Sequence, residues 1–248
     1  MKSKSKVLIL DIETSPNIGY FWRSGYKISI GPENIIEERQ IICIAYKWLG
    51  ESKVHCVEWD NTRGEDKDRE LLIRFSKVFN EADSAVGHNG DAFDLKWINT
   101  RLLKNKLPPL KNVHQFDTLK ALRRVFYLNS NKLAYISKFL GGKGKDNMAF
   151  DDWKEVMKGN DKSLRKMVKY CKRDVLELEN VYKKLMPYVE GTLSAQAMLG
   201  DREVCPSCSS HKVQKRGVYY TKAGKYQRYQ CTECGKWYRD TRQLKGGK

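Results

Sequence analysis

Asp11 and Glu13 stand two residues apart at the end of an apolar, β-favouring run, Val7-Leu8-Ile9-Leu10-Asp11-Ile12-Glu13-Thr14. Side chains alternate across a strand, so both carboxylates point to one face, about 7 Å apart along the chain. Two carboxylates on a buried face repel each other and lose hydration unless something offsets their charge. An oxygen-rich site of this kind suits a divalent cation such as Mg²⁺ or Mn²⁺. The same residues also suit a strand that runs out into an acidic, solvated turn, and this stretch alone does not separate the two readings.

Further acids arrive downstream. In His88-Asn89-Gly90-Asp91-Ala92-Phe93-Asp94, Gly90 and Asp91 mark a turn, and Phe93, Trp97, Ile98 and Leu102 share one face of a helix reaching about Lys104. Asp94 falls in its first turn, where the helix dipole favours negative charge, so capping by Asp91 or Asp94 is the structural alternative. The longest helical pattern covers Asp161 to Met186, with an apolar stripe of Leu164, Val168, Cys171, Val175, Leu178, Tyr182 and Leu185. Tyr170 and Asp174 lie four apart and project together beside that stripe. Cys171, on the stripe, reads as a core residue. The surrounding Lys162, Arg165, Lys166, Lys169, Lys172 and Arg173 read as a solvated basic face that can lie along phosphates.

The elements that must position these groups are legible in outline. The runs Gln40 to Trp48 and Lys53 to Trp59, split by Gly50-Glu51-Ser52, predict an antiparallel hairpin. Asp68 to Glu81 predicts a helix, Ser84 to Gly87 a short buried strand parallel to the first, and Val113 to Phe116 another strand. Asp117 reads as the N-cap of a helix over Leu119 to Phe126 rather than as a catalytic acid. Asn131 to Leu140 predicts a short helix closed by Gly141-Gly142. The basic loop Gly141 to Lys145 lacks the ending and context of a P-loop and reads as surface. Between Ile18 and Gln40 the periodicity is weak, but Tyr20, Phe21, Trp22 and Tyr26 accompany Arg23 and Lys27. Such residues can stack on unpaired bases or anchor an irregular loop on the core, and the second is the expectation.

The ordered acids and tyrosine resemble the DEDD exonucleases of the DnaQ-like, ribonuclease-H-like superfamily. The first motif is Asp11-Ile12-Glu13-Thr14. The second is Asn89-x-x-x-Phe93-Asp94, similar to the form in family-B DNA polymerase proofreading domains. The third is Tyr170-x-x-x-Asp174, the tyrosine subclass; the histidine subclass would place His at 169, where this chain has Lys169. The resemblance covers about residues 5 to 188. It implies an α/β fold, a ribonuclease-H-like mixed five-stranded sheet flanked by helices, and stepwise release of 5′-nucleotides from a 3′ end. It implies two Mg²⁺ or Mn²⁺ ions, Asp11 bridging both, Glu13 and Asp174 completing one site and Asp94 holding the other. Tyr170, a phenol with an ordinary pKa of about 10, would orient the water rather than act as a strong base. Thr14, Phe93 and Asn89 would support the site or touch substrate.

Cys205-Pro206-Ser207-Cys208 and Cys231-Thr232-Glu233-Cys234 are two CxxC pairs 22 residues apart. They resemble a zinc ribbon, in which four thiolates form a closed structural Zn²⁺ site. Its predicted strands, Val213 to Thr221 and Tyr226 to Gln230, interleave Lys and Arg with Tyr, which fits a nucleic-acid grip ahead of the protein docking that such ribbons also serve. The expected organisation is an exonuclease domain over 1–188, a linker over 189–202, the ribbon over 203–242 and a basic tail over 243–248.

Composition agrees with this reading. The 248 residues carry a net charge of +17, of which residues 201–248 hold twelve Lys or Arg against four Asp or Glu, a net of +8. The partner expected is nucleic acid, DNA ahead of RNA, with a DNA polymerase or repair protein acting in trans. No apolar run approaches the ~20 residues of a membrane span, and the one behind the basic N-terminus stops at Asp11, so a cytoplasmic protein is expected. Paired cysteines there argue for metal rather than disulfides. The competing functions are a catalytically inactive nucleic-acid-binding protein on the same scaffold and an RNase H- or resolvase-like endonuclease.

Overall fold

The computed structural model describes residues 6–25, 29–61, 66–142, 148–189 and 203–244. Most of the expected linker, the lysines of the 143–147 loop, Tyr26 and Lys27, and the end of the basic tail lie outside them.

A five-stranded mixed sheet organises the larger part, with strand order β5-β4-β1-β6-β7. The central strand β1 (Val7–Thr14) pairs antiparallel with β4 (Ile41–Trp48) and parallel with β6 (Ser84–Gly87). β4 pairs antiparallel with β5 (His55–Glu58), and β6 pairs parallel with β7 (His114–Asp117). This is the expected ribonuclease-H-like arrangement, and β1 and β4 are buried on both faces, which explains their near-continuous apolar sequences.

Helices cover the sheet. α1 (Arg69–Phe79) buries Leu71, Leu72, Phe75 and Phe79, and α2 (Asp94–Lys104) buries Leu95, Ile98 and Leu102. α3 (Thr118–Val125) is capped by Asp117, whose side chain accepts from the Leu119 and Lys120 amides, as the sequence predicts. α4 (Leu133–Phe139) ends at Gly141, which holds φ +82°, a left-handed value that favours glycine. α5 (Phe150–Met157) was not legible in the sequence. The long α6 (Asp161–Leu185) buries Leu164, Met167, Cys171, Val175, Leu178 and Leu185 against β1 and β4.

Two buried charge networks fix these layers. Asp68, fully buried, accepts from the Ile41 amide, from Arg101 Nε at 2.7 Å and Nη2 at 3.0 Å, and from Asn105 Nδ2, joining α1 and α2 to the start of β4. Lys47 on β4 pairs with Glu179 on α6 at 2.6 Å, with side chains 6% and 8% exposed. Each pair is desolvated but closely matched, so removing one partner alone strands a buried charge.

Between β1 and β4 rises a small hairpin, β2 (Ile18–Gly19) with β3 (Ile35–Glu37). A separate three-stranded sheet is formed by β8 (Val213–Thr221), β9 (Gly224–Cys231) and β10 (Trp237–Gln243), in the order β10-β9-β8. β8 and β9 match the expected hairpin; β10 is an additional strand. Ser207 Oγ donates to the Met186 carbonyl at 2.7 Å and Lys236 Nζ to the Val189 carbonyl at 2.9 Å, tying this sheet to the end of α6. Among the described residues no helix is long and apolar enough to cross a membrane.

Candidate metal sites and nucleic-acid interface

β1 presents Asp11 and Glu13 on one face while Leu10 and Ile12 are buried, so the period-two reading holds. α6 lies across that face and delivers Asp174, only 4% exposed. One carboxylate oxygen from each of Asp11, Glu13 and Asp174 lies within 4.8 Å of the others. Three carboxylates converging this closely, one of them buried, form an all-oxygen donor set that fits Mg²⁺ or Mn²⁺. Tyr170 sits one helical turn before Asp174 and is half-buried.

Asp94 stands outside this trio. β6 pairs with β1 only from Val7 to Ile9, so the Ile12 amide lacks a strand partner on that side. Asp94 Oδ1 accepts it at 3.1 Å, and Asp94 is buried at the start of α2. Burial pushes its carboxyl up to about 7, and the nearby Asp117 charge adds to the rise, while the Ile12 amide opposes it. A cation nearby would favour the ionised form.

The turn that places Asp94 is tightly built. Asn89 adopts φ +67°, its carbonyl accepts from the Ala92 and Phe93 amides, and its own amide donates to Asp117 Oδ1 at 3.0 Å. Asn tolerates the left-handed region, so this residue type suits the turn. Phe93 is half-buried against the core at the head of α2. Gly87 and Gly90 pass so closely that a Cβ on Gly87 would lie 2.9 Å from the Gly90 Cα. Asp91 pairs with Lys120; burial pushes its carboxyl up, but the hydrogen bond with Asp117 and the Lys120 cation outweigh that and hold it below the ordinary range. Thr14 contributes its carbonyl, which accepts from Trp153 Nε1 on α5 at 3.1 Å and so ties that helix to the end of β1.

Periodicity identified Cys171 as a core residue but not its contact. Its thiol reaches the Asp11 carbonyl at 3.4 Å and Asp11 Oδ2 at 3.6 Å, weak donations that fall directly on the trio. Cys43, opposite Glu13 in the β1–β4 register, is also fully buried, and both thiols are pushed well up, Cys171 by burial and Cys43 chiefly by its thiol neighbours Cys171 and Cys56. The expectation for the 18–40 aromatics is corrected. Tyr20, Phe21 and Trp22 do not pack on the core but stand exposed.

In the small sheet, one sulfur from each of Cys205, Cys208, Cys231 and Cys234 lies within 4.8 Å of the others. Cys205 and Cys234 sulfurs are 3.6 Å apart, and those of Cys208 and Cys231 are 3.7 Å apart. A tetrahedral Zn²⁺ with bonds of about 2.3 Å requires sulfur separations of about 3.8 Å, so the donor set fits zinc. The two turns match each other: Ser209 and Gly235, each following the second cysteine of its pair, hold φ +61° and +78°. Burial raises the Cys205 thiol to about 11, a cost that thiolate coordination would offset.

The faces of this sheet stack cations on rings. The Arg239 guanidinium lies 4.1 Å from the Tyr226 ring centre and Arg228 lies 5.3 Å from that of Tyr219, while the Tyr229 and Tyr238 rings stack 5.4 Å apart. Tyr219, Arg228, Trp237, Tyr238 and Arg239 line a concavity of about 430 Å³.

The sheet order defines a ribonuclease-H-like fold, and three carboxylates, two from its central strand and one from α6, converge where they could hold a metal ion. A model of the RNase_H superfamily matches residues 36–186, more than half of the chain, and the chain belongs to that superfamily. Asp11 and Glu13 precede the matched span, whereas Asp94, Tyr170 and Asp174 lie within it. The chain is also similar to a PolC-type DNA polymerase III of Ureaplasma parvum serovar 3, 29% identical over 136 residues, covering 53% of this chain and 9% of that protein. Among solved structures it resembles a family B DNA polymerase from Pyrobaculum calidifontis, with a TM-score of 0.51 and 14% identity over 91% of this chain and 32% of the other. The chain therefore spans only a small part of the length of either polymerase, and the second likeness concerns the fold.

Proposed function

We propose that this chain is a metal-dependent 3′→5′ exonuclease that releases 5′-nucleotides from nucleic-acid ends, DNA ahead of RNA. The observation that carries the reading is the convergence of Asp11, Glu13 and Asp174 within 4.8 Å, with Tyr170 one turn before Asp174 on the same helix. When bound, a pair of Mg²⁺ or Mn²⁺ ions supplies charge neutralisation at the phosphoryl group and an acidified water. Asp11, Glu13 and Asp174 would hold the ions, with Asp94 contributing the oxygen not engaged by Ile12. Tyr170 would orient the attacking water through its hydroxyl. A DNA polymerase or repair protein is the partner class proposed, a reading supported by the similarity of about half of this chain to part of a PolC-type DNA polymerase III.

The four-cysteine sheet would hold one structural zinc and grip nucleic acid through its Arg and Tyr ladders, with Lys and Arg neutralising phosphates.

The test uses 3′- and 5′-labelled DNA and RNA oligonucleotides, with and without chelator. Asp11→Ala and Asp174→Ala proteins are expected to stay folded and to lose nucleotide release by at least a thousandfold, the scale on which phosphoryl transfer depends on charge stabilisation. Digestion by either variant at the parental rate would refute the assignment. A circular substrate cut internally would point instead to an endonuclease.

A further inference from the structure

The β2–β3 hairpin leaves β1 directly after the acidic pair and returns at β4. Both legs are pinned there. The Ser15 amide donates to the Gln40 carbonyl at 2.9 Å, Ser15 Oγ accepts from the Gln40 amide, and Asn17 Oδ1 accepts from the Arg39 amide at 2.7 Å. Further out, the Tyr20 amide donates to the Asn34 carbonyl, and a Cβ on Gly19 would lie 2.6 Å from that oxygen, so the two legs are in close contact. The two legs are thus tied to each other and to the start of β4, and directly beyond β2 come three consecutive aromatics that the described residues leave exposed: Tyr20 is 76%, Phe21 59% and Trp22 fully exposed.

Exposed aromatics in a row are costly in water and match a ligand that offers flat apolar faces. Charge decides among such ligands. Residues 17–39 carry three Lys or Arg and three Asp or Glu, a net of zero, whereas the whole chain is +17. The hairpin is a neutral aromatic surface on a strongly cationic molecule. It is therefore suited to bases rather than phosphates, with the cationic remainder holding the backbone. Tyr20 lies six residues beyond Thr14, at most about 20 Å of extended chain. A strand stacked on the hairpin would lie within a few nucleotides of the acidic trio.

We propose that Tyr20, Phe21 and Trp22 form a stacking platform for unpaired bases next to the 3′ end. This rests on the nuclease reading for its orientation, but the platform is tested by binding alone. Full-length Asp174→Asn protein is titrated with labelled single-stranded DNA carrying one abasic residue at successive positions from the 3′ end, and with blunt duplexes of the same sequence.

Abasic residues at a few consecutive positions near the 3′ end are expected to weaken binding at least fivefold. The Tyr20→Ala/Phe21→Ala/Trp22→Ala combination in the same background should lose tenfold or more on the intact single strand. It should become indifferent to abasic position, keep its thermal transition, and bind duplex as before. Restoring Trp22 as Phe should recover part of the loss. An unchanged single-strand affinity in the triple variant overturns the platform and leaves this face to a protein partner. The nuclease reading is scored separately: a wild-type protein that releases no nucleotides refutes that reading while an abasic footprint still establishes the platform. Equal digestion of single strands by wild type and triple variant refutes the platform alone.

Discussion

Asp94 meets two demands that pull in different directions. Its Oδ1 satisfies the Ile12 amide where β6 has parted from β1, while its burial opposes the charge that the proposed metal-binding role would need. The sign of the pH effect follows. A carboxyl raised to about 7 in the folded chain binds more protons than it does unfolded, so folding stability falls as pH rises from about 4 to 7 and levels off above. Metal-free wild type is expected to be less stable at pH 8 than at pH 5. Asp94→Asn keeps an acceptor for Ile12 and should remove that portion of the loss, a few kcal/mol at most. Denaturant titrations of both proteins at the two pH values measure it. The sequence showed Asp94 as an acid at a helix start, and alternation alone placed Asp11 and Glu13 on one face. The Ile12 contact was invisible because it depends on where a neighbouring strand stops pairing, which no residue type announces.

α6 carries Tyr170, Cys171 and Asp174, so its register against β1 and β4 sets the site. The Lys47–Glu179 pair, placed more than a turn beyond Asp174, holds that register. Glu179→Ala should cost about 3–5 kcal/mol by stranding Lys47, whereas Lys47→Met with Glu179→Leu should cost far less. Chemical unfolding of the two variants makes the comparison, and the first should also lose nucleotide release at temperatures where it is still folded. Gly87→Ala should destabilise the turn before α2, because its methyl would meet the Gly90 backbone at 2.9 Å; a lower melting temperature checks this. The longer periodic elements were legible. α5 was not, since eight residues give just two turns of pattern. β10 was not either: Trp237-Tyr238-Arg239-Asp240-Thr241-Arg242-Gln243 is nearly all polar and is a strand because β9 and the second cysteine pair bracket it. The aromatic segment was misjudged, because aromatic residues are usually core and only position revealed these as surface.

Across the whole molecule, charge is unevenly placed. The acidic trio sits in a chain of net charge +17, so in the proposed nuclease the surrounding cations would draw phosphate toward a site that would repel it without metal ions. Among the described residues the small sheet has few buried side chains, chiefly Val204, Cys205 and Cys231, so the proposed zinc would carry much of its folding. Stripping zinc is expected to abolish its β signal in circular dichroism while the larger sheet melts as before. Deleting residues 203–248 should weaken nucleic-acid binding and flatten its dependence on salt, measured as the slope of log affinity against log salt concentration.

The seven thiols fall into three settings: Cys43 and Cys171 sealed beneath the acidic trio, Cys56 half-buried on β5, and four gathered sulfurs in the small sheet. An alkylating reagent would therefore meet them in sequence. If the four gathered sulfurs hold zinc as proposed, one thiol should react in the intact protein, four more after chelation, and the last two when the central sheet opens. Mass spectrometry of the labelled chain would thus time the loss of each part of the molecule separately, using no probe beyond its own cysteines.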